Sequence, residues 1–412
     1  MKKLLLSLLL LFFIRHLNAQ TNKFFITKGK EIISPEGKPF LIKGTNLGNW
    51  LVPEGYMFKF KNTSSPRLIN QLFNELIGPS ETKKFWKQYL ASYITEEDII
   101  YLKSTGMNSI PLPFHYKLFT KEDYLGRNDE EHGFQLFDKL ISWCKKANLY
   151  ILLDMHCAPG GQTGDNIDDS FGYPFLFESE ESQRLTIDIW KSIATRYKNE
   201  SIILGYDLLN EPIPHFFDTA HFNPKLEPLY KRITQAIRTV DKNHLIFLGG
   251  AQWNSNFKPF GPPFDNKLVY TFHKYWTDTI QQVIQEYVDY RDRYNVPIYV
   301  GETGENSDAW VAAFRKLCEK NDIGWHFWPY KKMDSQSGIV RFDKPKYFDA
   351  IITYADSTKK NFEEIRNLHP TNKEASKKSI DQILINCLFK NCIENQGYIK
   401  SLGLASKNQA HP

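Results

Sequence analysis

Two stretches of this chain run an apolar segment into a carboxylate. Asp207-Leu208-Leu209-Asn210-Glu211-Pro212 delivers an amide and a carboxylate up to a proline, which stops regular strand pairing and turns the chain. Val300-Gly301-Glu302-Thr303-Gly304 does the same with glycines on both sides of the carboxylate, leaving space for close approach to the backbone. One protonated carboxyl to hand a proton to a departing oxygen, and a second carboxylate to attack or to activate water, are the set that cleavage of a glycosidic bond requires. A single strand-end glutamate is more often a solvated or ion-paired residue, so the signal lies in the pair. Carboxyls about 5 to 5.5 Å apart imply retention of anomeric configuration and a gap of about 6.5 to 9.5 Å implies inversion.

The spacing of the pair indicates what must position it. Glu211 and Glu302 are 91 residues apart, close to three βα units in a barrel of roughly 250 residues, or about 31 per unit. Buried-type runs at Leu41–Leu47, Met107–Pro113, Tyr150–His156, Ile203–Glu211, His244–Gly250, Leu268–Tyr275, Pro297–Gly304 and Gly324–Tyr330 supply eight strand candidates. Helical periodicity fills the intervals, as in Phe134, Phe137, Leu140, Ile141 and Cys144, or Leu185, Ile189, Ile193 and Tyr197. Alternation of this kind predicts an α/β fold, a (β/α)8 TIM barrel, with the two glutamates ending the fourth and seventh strands on the C-terminal rim. Phe24–Leu47, broken at Gly29 and Gly37, reads as a β-hairpin that plugs the bottom of the barrel. Trp50–Tyr93 is longer than one helix needs and reads as a rim insertion over the cleft.

Met1–Lys3, the apolar run Leu4–Ile14 and the polar stretch closing on Ala19-Gln20 have the order of a secretory signal, so residues 1–19 are set apart and a secreted or periplasmic location is expected. Residues 20–357 then form the catalytic domain and residues 358–412 a polar tail, in which Ile380–Phe389 is apolar enough to dock as a helix. The 52 Lys and Arg against 47 Asp and Glu leave a net charge of +5 with no basic run interleaved with aromatics, which argues against nucleic acid as partner. The N-terminal apolar run is too short and interrupted for a membrane span, and a monomer is expected. Cys144, Cys157, Cys318, Cys387 and Cys392 have no metal-ligand spacing; an odd count leaves a free thiol, and Cys387 with Cys392 is the one short pair that could close. His156 and His273 show neither HxH nor HExxH spacing, so no metal and no cofactor are expected. Trp50, Trp253 and Trp276 are open both to sugar stacking and to burial in a core.

Leu209-Asn210-Glu211-Pro212, Thr271-Phe272-His273-Lys274-Tyr275, Gly301-Glu302 and Trp325-His326-Phe327-Trp328 resemble the successive signatures of glycoside hydrolase family 5, of the cellulase-like clan, over residues 29–350. Gly44–Glu54 and Asp154–Gln162 are most similar to its exo-β-1,3-glucanase branch. The resemblance implies a retaining O-glycosyl hydrolase of β-linked oligo- or polysaccharides, in which Glu211 is general acid/base and Glu302 nucleophile. It implies that Asn210 meets the 2-hydroxyl, that Tyr275 orients Glu302, that Trp328 lies under the reacting sugar, and that Asn46, Glu54, His156 and His273 line the sugar site. On physical grounds the negative Glu302 would raise the pKa of Glu211 and keep it an acid.

One position departs from the family pattern. Its arginine near the end of the second strand falls here on Pro111, which can neither donate a hydrogen bond nor carry charge. Losing one charge-assisted bond of about 1.5 to 3 kcal/mol slows such a reaction about tenfold to a hundredfold. Lys274, Lys331 and Lys332 are the candidates to replace that charge. Pro111 keeps open a barrel that binds carbohydrate without cleaving it, and variable loops keep open an endo-acting β-1,4-glucanase or mannanase.

Overall fold

The computed structural model describes residues 23–405; the signal-like segment at residues 1–19 lies outside them. Eight parallel strands close into a barrel: β1 (Lys43–Thr45), β2 (Ser109–His115), β3 (Tyr150–Cys157), β4 (Ile203–Asp207), β5 (Leu245–Gly249), β6 (Leu268–Tyr275), β7 (Ile298–Gly304) and β8 (Gly324–Trp328), with β8 pairing back onto β1. Six fall inside the apolar runs read from the sequence, while β2 and β3 run two and one residues past the ends of theirs. Strands buried on both faces must be apolar almost throughout, which is why they stand out as runs rather than as alternations.

Helices fill the intervals and turn one face inward. The helix His132–Ala147 buries Phe134, Phe137, Leu140, Ile141 and Cys144, and the helix Glu180–Tyr197 buries Ile189, Ile193 and Tyr197. Between Tyr206 and the helical layer a buried set forms in which Tyr206 donates to Asp241 at 2.7 Å and His244 meets the same carboxylate. The N-terminal hairpin, Ile26–Lys28 against Glu31–Ile33, closes the bottom of the barrel. Its Phe25 and Ile32 join Leu152, Leu204, Leu245, Phe247, Val269 and Tyr299 in one apolar cluster inside the barrel. The lower barrel is thus largely sealed by oil, with one buried polar pair, Ser109 and His326 at 2.9 Å, beside Tyr299.

The insertion after β1 folds as two helices, Pro66–Ile77 and Pro79–Ser92, each started by a proline at its first turn. The segment after residue 357 also folds, as helices Phe362–Leu368, Lys373–Asn386 and Gln396–Ser401, and it buries Ile380, Ile383, Tyr398 and Ile399 against the rest. The docked helix begins before the apolar patch and stops short of Phe389. All five cysteines are free, so Cys387 and Cys392 do not pair. No helix among the described residues is long and apolar enough to cross a membrane.

Candidate active site

The C-terminal rim opens into a cleft of about 820 Å³ lined by Glu54, Tyr56, His156, Glu211, His273, Tyr275, Glu302 and Trp328, with Phe216, Trp253, Trp276 and Glu305 at its edges. Asn46 and Asn210, the remaining residues implied by the family resemblance, are buried behind that lining. Trp50 is core: its indole N–H donates to Leu90 O at 3.0 Å. Trp253 and Trp276 border the cleft.

Regular pairing of β4 ends at Asp207, and Glu211 sits four residues beyond it in the left-handed region, φ 45°. That backbone is strained for a residue with a side chain, and it is clasped from two directions. Asn210 N donates to Met155 O at 3.1 Å, and Thr163 Oγ1 donates to Glu211 O at 2.9 Å. Gln162 Nε2 ties His156 O and Asn210 O together, each at 2.8 Å. The loop after β3 therefore holds the turn that presents Glu211, a role for Gln162 and Thr163 that strand-end reading did not register.

His273 joins the two glutamates. Its Nδ1 lies 2.8 Å from Glu211 Oε1 and 3.8 Å from Glu302 Oε2, while its Nε2 lies 3.1 Å from Asn254 Nδ2. Burial lowers its pKa to about 4, so the ring is neutral; with Asn254 donating to Nε2, the ring proton resides on Nδ1 and is donated to Glu211. Gly301 makes this packing possible, since a Cβ there would lie 2.2 Å from Thr271 Oγ1 and 2.9 Å from His273 Nε2. The glycine before Glu302 thus makes room for the protein's own side chains rather than for a ligand. Tyr275 OH donates to Glu302 Oε2 at 3.1 Å, and Asn46 Nδ2 donates to Gly301 O at 3.3 Å, so Asn46 steadies the strand that carries Glu302.

Burial raises the pKa of both Glu211 and Glu302 to about 7. For Glu211 burial is the main cause and His156 opposes it; the anticipated push from Glu302 is not what raises it. For Glu302, His273 and His156 oppose burial while Glu211 and Asp154 add to it. Environment alone therefore gives the free site two nearly matched carboxyls that hold about one proton between them near neutrality.

Beneath Glu302 the barrel interior is acidic. Asp154 and Asp207 are partners in the β3–β4 register, both are buried with raised pKa values, and Oδ1 of each has no hydrogen-bond partner. Pro111 stands on β2 level with Leu152, two residues below the position that pairs with Asp154. Its carbonyl accepts from Leu47 N at 3.1 Å, so its missing N–H is turned toward β1, which pairs with β2 at a single residue. The ladder to β3 runs in register from Ser109 to Phe114 and shifts only before His115, which is how an interior strand tolerates proline. None of the three lysines replaces the family's arginine. Lys331 is buried against Asp98 at 2.8 Å, Lys332 pairs with Glu305, and Lys274 lies over the Tyr287 ring at 5.1 Å. The groups that favour the charged form of Glu302 are His273 and His156.

A second wall stands on β8, β1 and their loops. Trp328 Nε1 donates to Tyr56 OH at 2.5 Å, and the Trp328 ring stacks on His156 at 5.7 Å between centroids. Gly48 lies against that ring, where a Cβ would meet it at 2.4 Å. Lys332 caps the Tyr56 ring at 4.5 Å. Glu54 is held by Asn49, whose Oδ1 accepts from Glu54 N at 2.8 Å; its buried Oε1 accepts no hydrogen bond and lies 3.8 Å from His156 Nε2. Tyr56, Glu305 and Phe216 were invisible as site residues in the sequence, because they enter the cleft from loops.

Two trios, Asp154/His156/Glu302 and Glu211/His273/Glu302, place potential ligand atoms within 4.8 Å of one another and could hold a metal ion. Both include Glu302, so an ion in either would occupy the carboxylate that double displacement uses.

Residues 63–334 match the family model described as cellulase, glycosyl hydrolase family 5. The chain belongs to that family of glycosyl hydrolases. It is 31% identical over 251 residues to a β-xylosidase of Phanerodontia chrysosporium, covering 60% of this chain and 51% of the relative. It is 28% identical over 317 residues to endoglucanase C of Acetivibrio thermocellus, covering 62% of this chain and 89% of the relative. A probable glucan 1,3-β-glucosidase A of Aspergillus clavatus is 26% identical over 225 residues, covering 52% of each chain. The chain thus spans about half the length of the xylosidase and of the glucosidase. Among solved structures, the rutinosidase from Aspergillus niger superposes with a TM-score of 0.57 at 18% identity, over 71% of this chain and 90% of that one. At that identity the likeness concerns the fold.

Proposed function

We propose that this family 5 member is a retaining β-glycosidase with Glu211 as general acid/base and Glu302 as nucleophile. The observation that carries the reading is the closeness of the two carboxyls: with His273 bonded to one and near the other, an oxygen of Glu211 lies within 4.8 Å of an oxygen of Glu302, which favours the short spacing of retaining pairs, about 5 to 5.5 Å, over the about 6.5 to 9.5 Å of inverting ones.

In the first step ionised Glu302 attacks the anomeric carbon. The bond to the leaving oxygen breaks, and Glu211 delivers its proton to that oxygen. Neutral His273, donating from Nδ1 to one Glu211 oxygen, leaves the other to carry the proton. Tyr275 keeps one Glu302 oxygen occupied, so the attacking oxygen is defined. Having given up its proton to the leaving oxygen, Glu211 is a carboxylate whose pKa of about 7 suits a general base, and it takes a proton from the water that cleaves the ester. Asn210, tied down by Gln162, is placed to donate to the sugar 2-hydroxyl as positive charge builds on the ring.

The sugar itself occupies the wall of Glu54, Tyr56 and Trp328. The buried Glu54 Oε1, which accepts no hydrogen bond, and Tyr56 beside it on the same loop suit a terminal unit, hence exo action on a β-linked glucan or β-xyloside, in keeping with the activities named for the relatives. The signal-like pattern of residues 1–19 supports action outside the cytoplasm. A barrel that binds sugar without turnover is the second reading, and Pro111 favours it.

The test is product release from β-1,3-glucan, β-1,4-glucan, mannan and aryl β-glucosides and β-xylosides, with Glu302→Gln as the blank. Turnover should fall on the order of 10⁴-fold or more in that variant. Sugar binding without any turnover in the unaltered protein would transfer the assignment to the second reading.

A further inference from the structure

The cleft is chemically lopsided, and the lopsidedness names a class of substrate. Phe216, Trp253 and Trp276 follow β4, β5 and β6, three neighbouring strands on the Glu211 side of the rim. Phe216 is 55% and Trp276 74% exposed, although large apolar rings are ordinarily buried. Phe216 meets Trp253 edge-on at 6.2 Å, and Trp276 leans on Tyr275 at 5.4 Å. Their backbones are not relaxed: Trp253 and Trp276 have φ of 62° and 52°, a region that bulky side chains avoid. Strain of this kind persists at sites where the direction of a side chain matters, and here it aims rings at the mouth of a cleft.

Gln252 and Ser255 on this side are engaged within the protein, and His215 and Lys274 are engaged in part. Gln252 Nε2 donates to Ile213 O at 3.1 Å and to Asn223 Oδ1 at 2.8 Å, and its Oε1 accepts from Asn256 at 2.6 Å. His215 Nδ1 accepts from Trp253 Nε1 at 3.3 Å, and Ser255 Oγ donates to Gln252 O at 2.5 Å. Lys274 is drawn toward the Tyr287 ring. On the opposite wall Glu54 Oε1 is buried and accepts no hydrogen bond, with His156 Nε2 3.8 Å away. A sugar ring presents hydroxyls around its edge that lose their water on binding and need replacements; the Glu54 wall offers one, and the Phe216–Trp276 side offers flat apolar faces.

We infer that the leaving-group side of the cleft is built for a flat apolar aglycone, so that the preferred substrates are aryl or arylalkyl β-glycosides rather than chains of sugar. Trp276 and Phe216 are the specificity-determining residues. This inference rests on the proposed assignment of Glu211 to the leaving group. The acid stands on the aromatic side, so the group it protonates is the one that meets these rings.

The experiment compares substrates that share a glycone and differ in what leaves. The 2-phenylethyl β-glucoside and β-xyloside carry a primary alcohol about as basic as a sugar hydroxyl, so any preference over β-linked glucose or xylose disaccharides reports recognition and not leaving-group chemistry. With the full chain, kcat/KM for the phenylethyl glycoside should exceed that for the matched disaccharide by about tenfold or more, the size of one good ring contact. Trp276→Ala should collapse that ratio, acting through KM, and Trp276→Phe should restore most of it. A preference for the disaccharide, or a ratio unmoved by Trp276→Ala, overturns the inference. Binding is read separately by tryptophan fluorescence titration of Glu302→Gln, which needs no turnover. There the phenylethyl glycoside should again bind more tightly than the disaccharide by about tenfold, and equal affinities overturn the inference even if the protein cleaves nothing. Absence of turnover with that tenfold intact would instead overturn the glycosidase assignment and leave the aglycone preference standing.

Discussion

The two walls of the cleft use different physics. On the β7, β8 and β1 side, recognition is polar and enclosed: Glu54, Tyr56, Glu302, Glu305 and Lys332 are linked by charge and hydrogen bonds, and Trp328 is pinned by its N–H. On the β4, β5 and β6 side it is apolar and open, with rings held out on left-handed backbones. Directional contacts discriminate hydroxyl patterns, whereas a flat ring accepts many partners at modest strength. On the proposed reading, a cleft divided in this way selects the sugar by its hydroxyls and the leaving group by its flat apolar face.

The largest expected effect that separates the two walls belongs to Glu211. In Glu211→Ala, kcat/KM for an alkyl glycoside should fall by about 10² to 10⁴-fold, the usual worth of a positioned general acid. For a nitrophenyl glycoside of the same sugar, whose leaving group needs no proton, the loss in the first step should be far smaller, and added azide should speed turnover by replacing water at the glycosyl-enzyme. Equal losses on both substrates would show that Glu211 does not serve the leaving group, and the division of the cleft would lose its chemical basis.

A smaller loss, independent of the leaving group, tests the other wall. Tyr275 belongs to β6 yet works for Glu302 through its 3.1 Å bond. Removing that hydroxyl in Tyr275→Phe costs about 1.5 to 3 kcal/mol if the bond is to a carboxylate, or about tenfold to a hundredfold in kcat/KM. The loss should be the same for alkyl and nitrophenyl glycosides measured side by side. A loss confined to alkyl glycosides would place Tyr275 with the acid instead.

The barrel was almost wholly legible in the sequence, and the cleft only in part, for a physical reason. A strand buried on both faces must be an uninterrupted apolar run, so β3 and β7 announce themselves. Glu211, His273 and Glu302 were legible because they stand at or just past strand ends. Tyr56, Phe216, Glu305 and the Lys332 pairing were not, since loops bring together residues far apart in the chain and no local pattern records the meeting. The Asp154–Asp207 juxtaposition depends on strand register, and the cause of the raised Glu211 pKa depends on burial; neither can be read from neighbours in sequence. The segment after residue 357 looked like a polar tail because its few buried apolar residues, such as Ile380, Ile383 and Tyr398, are divided between two helices of otherwise polar sequence.

The smallest effect concerns Pro111 and is best seen in pH dependence. With both glutamates raised to about 7, the active form, Glu211 protonated and Glu302 ionised, is most populated near pH 7, so kcat/KM should follow a narrow bell centred there. Falling pH protonates the nucleophile and sets the acidic limb; rising pH strips the acid and sets the basic limb. Pro111→Arg would bring a guanidinium to the acidic interior beneath Glu302. An opposite charge favours the ionised carboxylate and lowers its pKa by about 1 to 3 units. The acidic limb should therefore move down by that amount while the basic limb, which belongs to Glu211, stays close to its place. Near pH 7 about half of Glu302 is already ionised in the unaltered protein, so the gain there is only about twofold and grows as the pH falls. The pH–rate profile should be paired with thermal unfolding, because a longer side chain must fit a packed barrel. A variant that unfolds like the parent but keeps the acidic limb unmoved would mean that a charge at position 111 does not act on Glu302 and that burial alone sets its pKa.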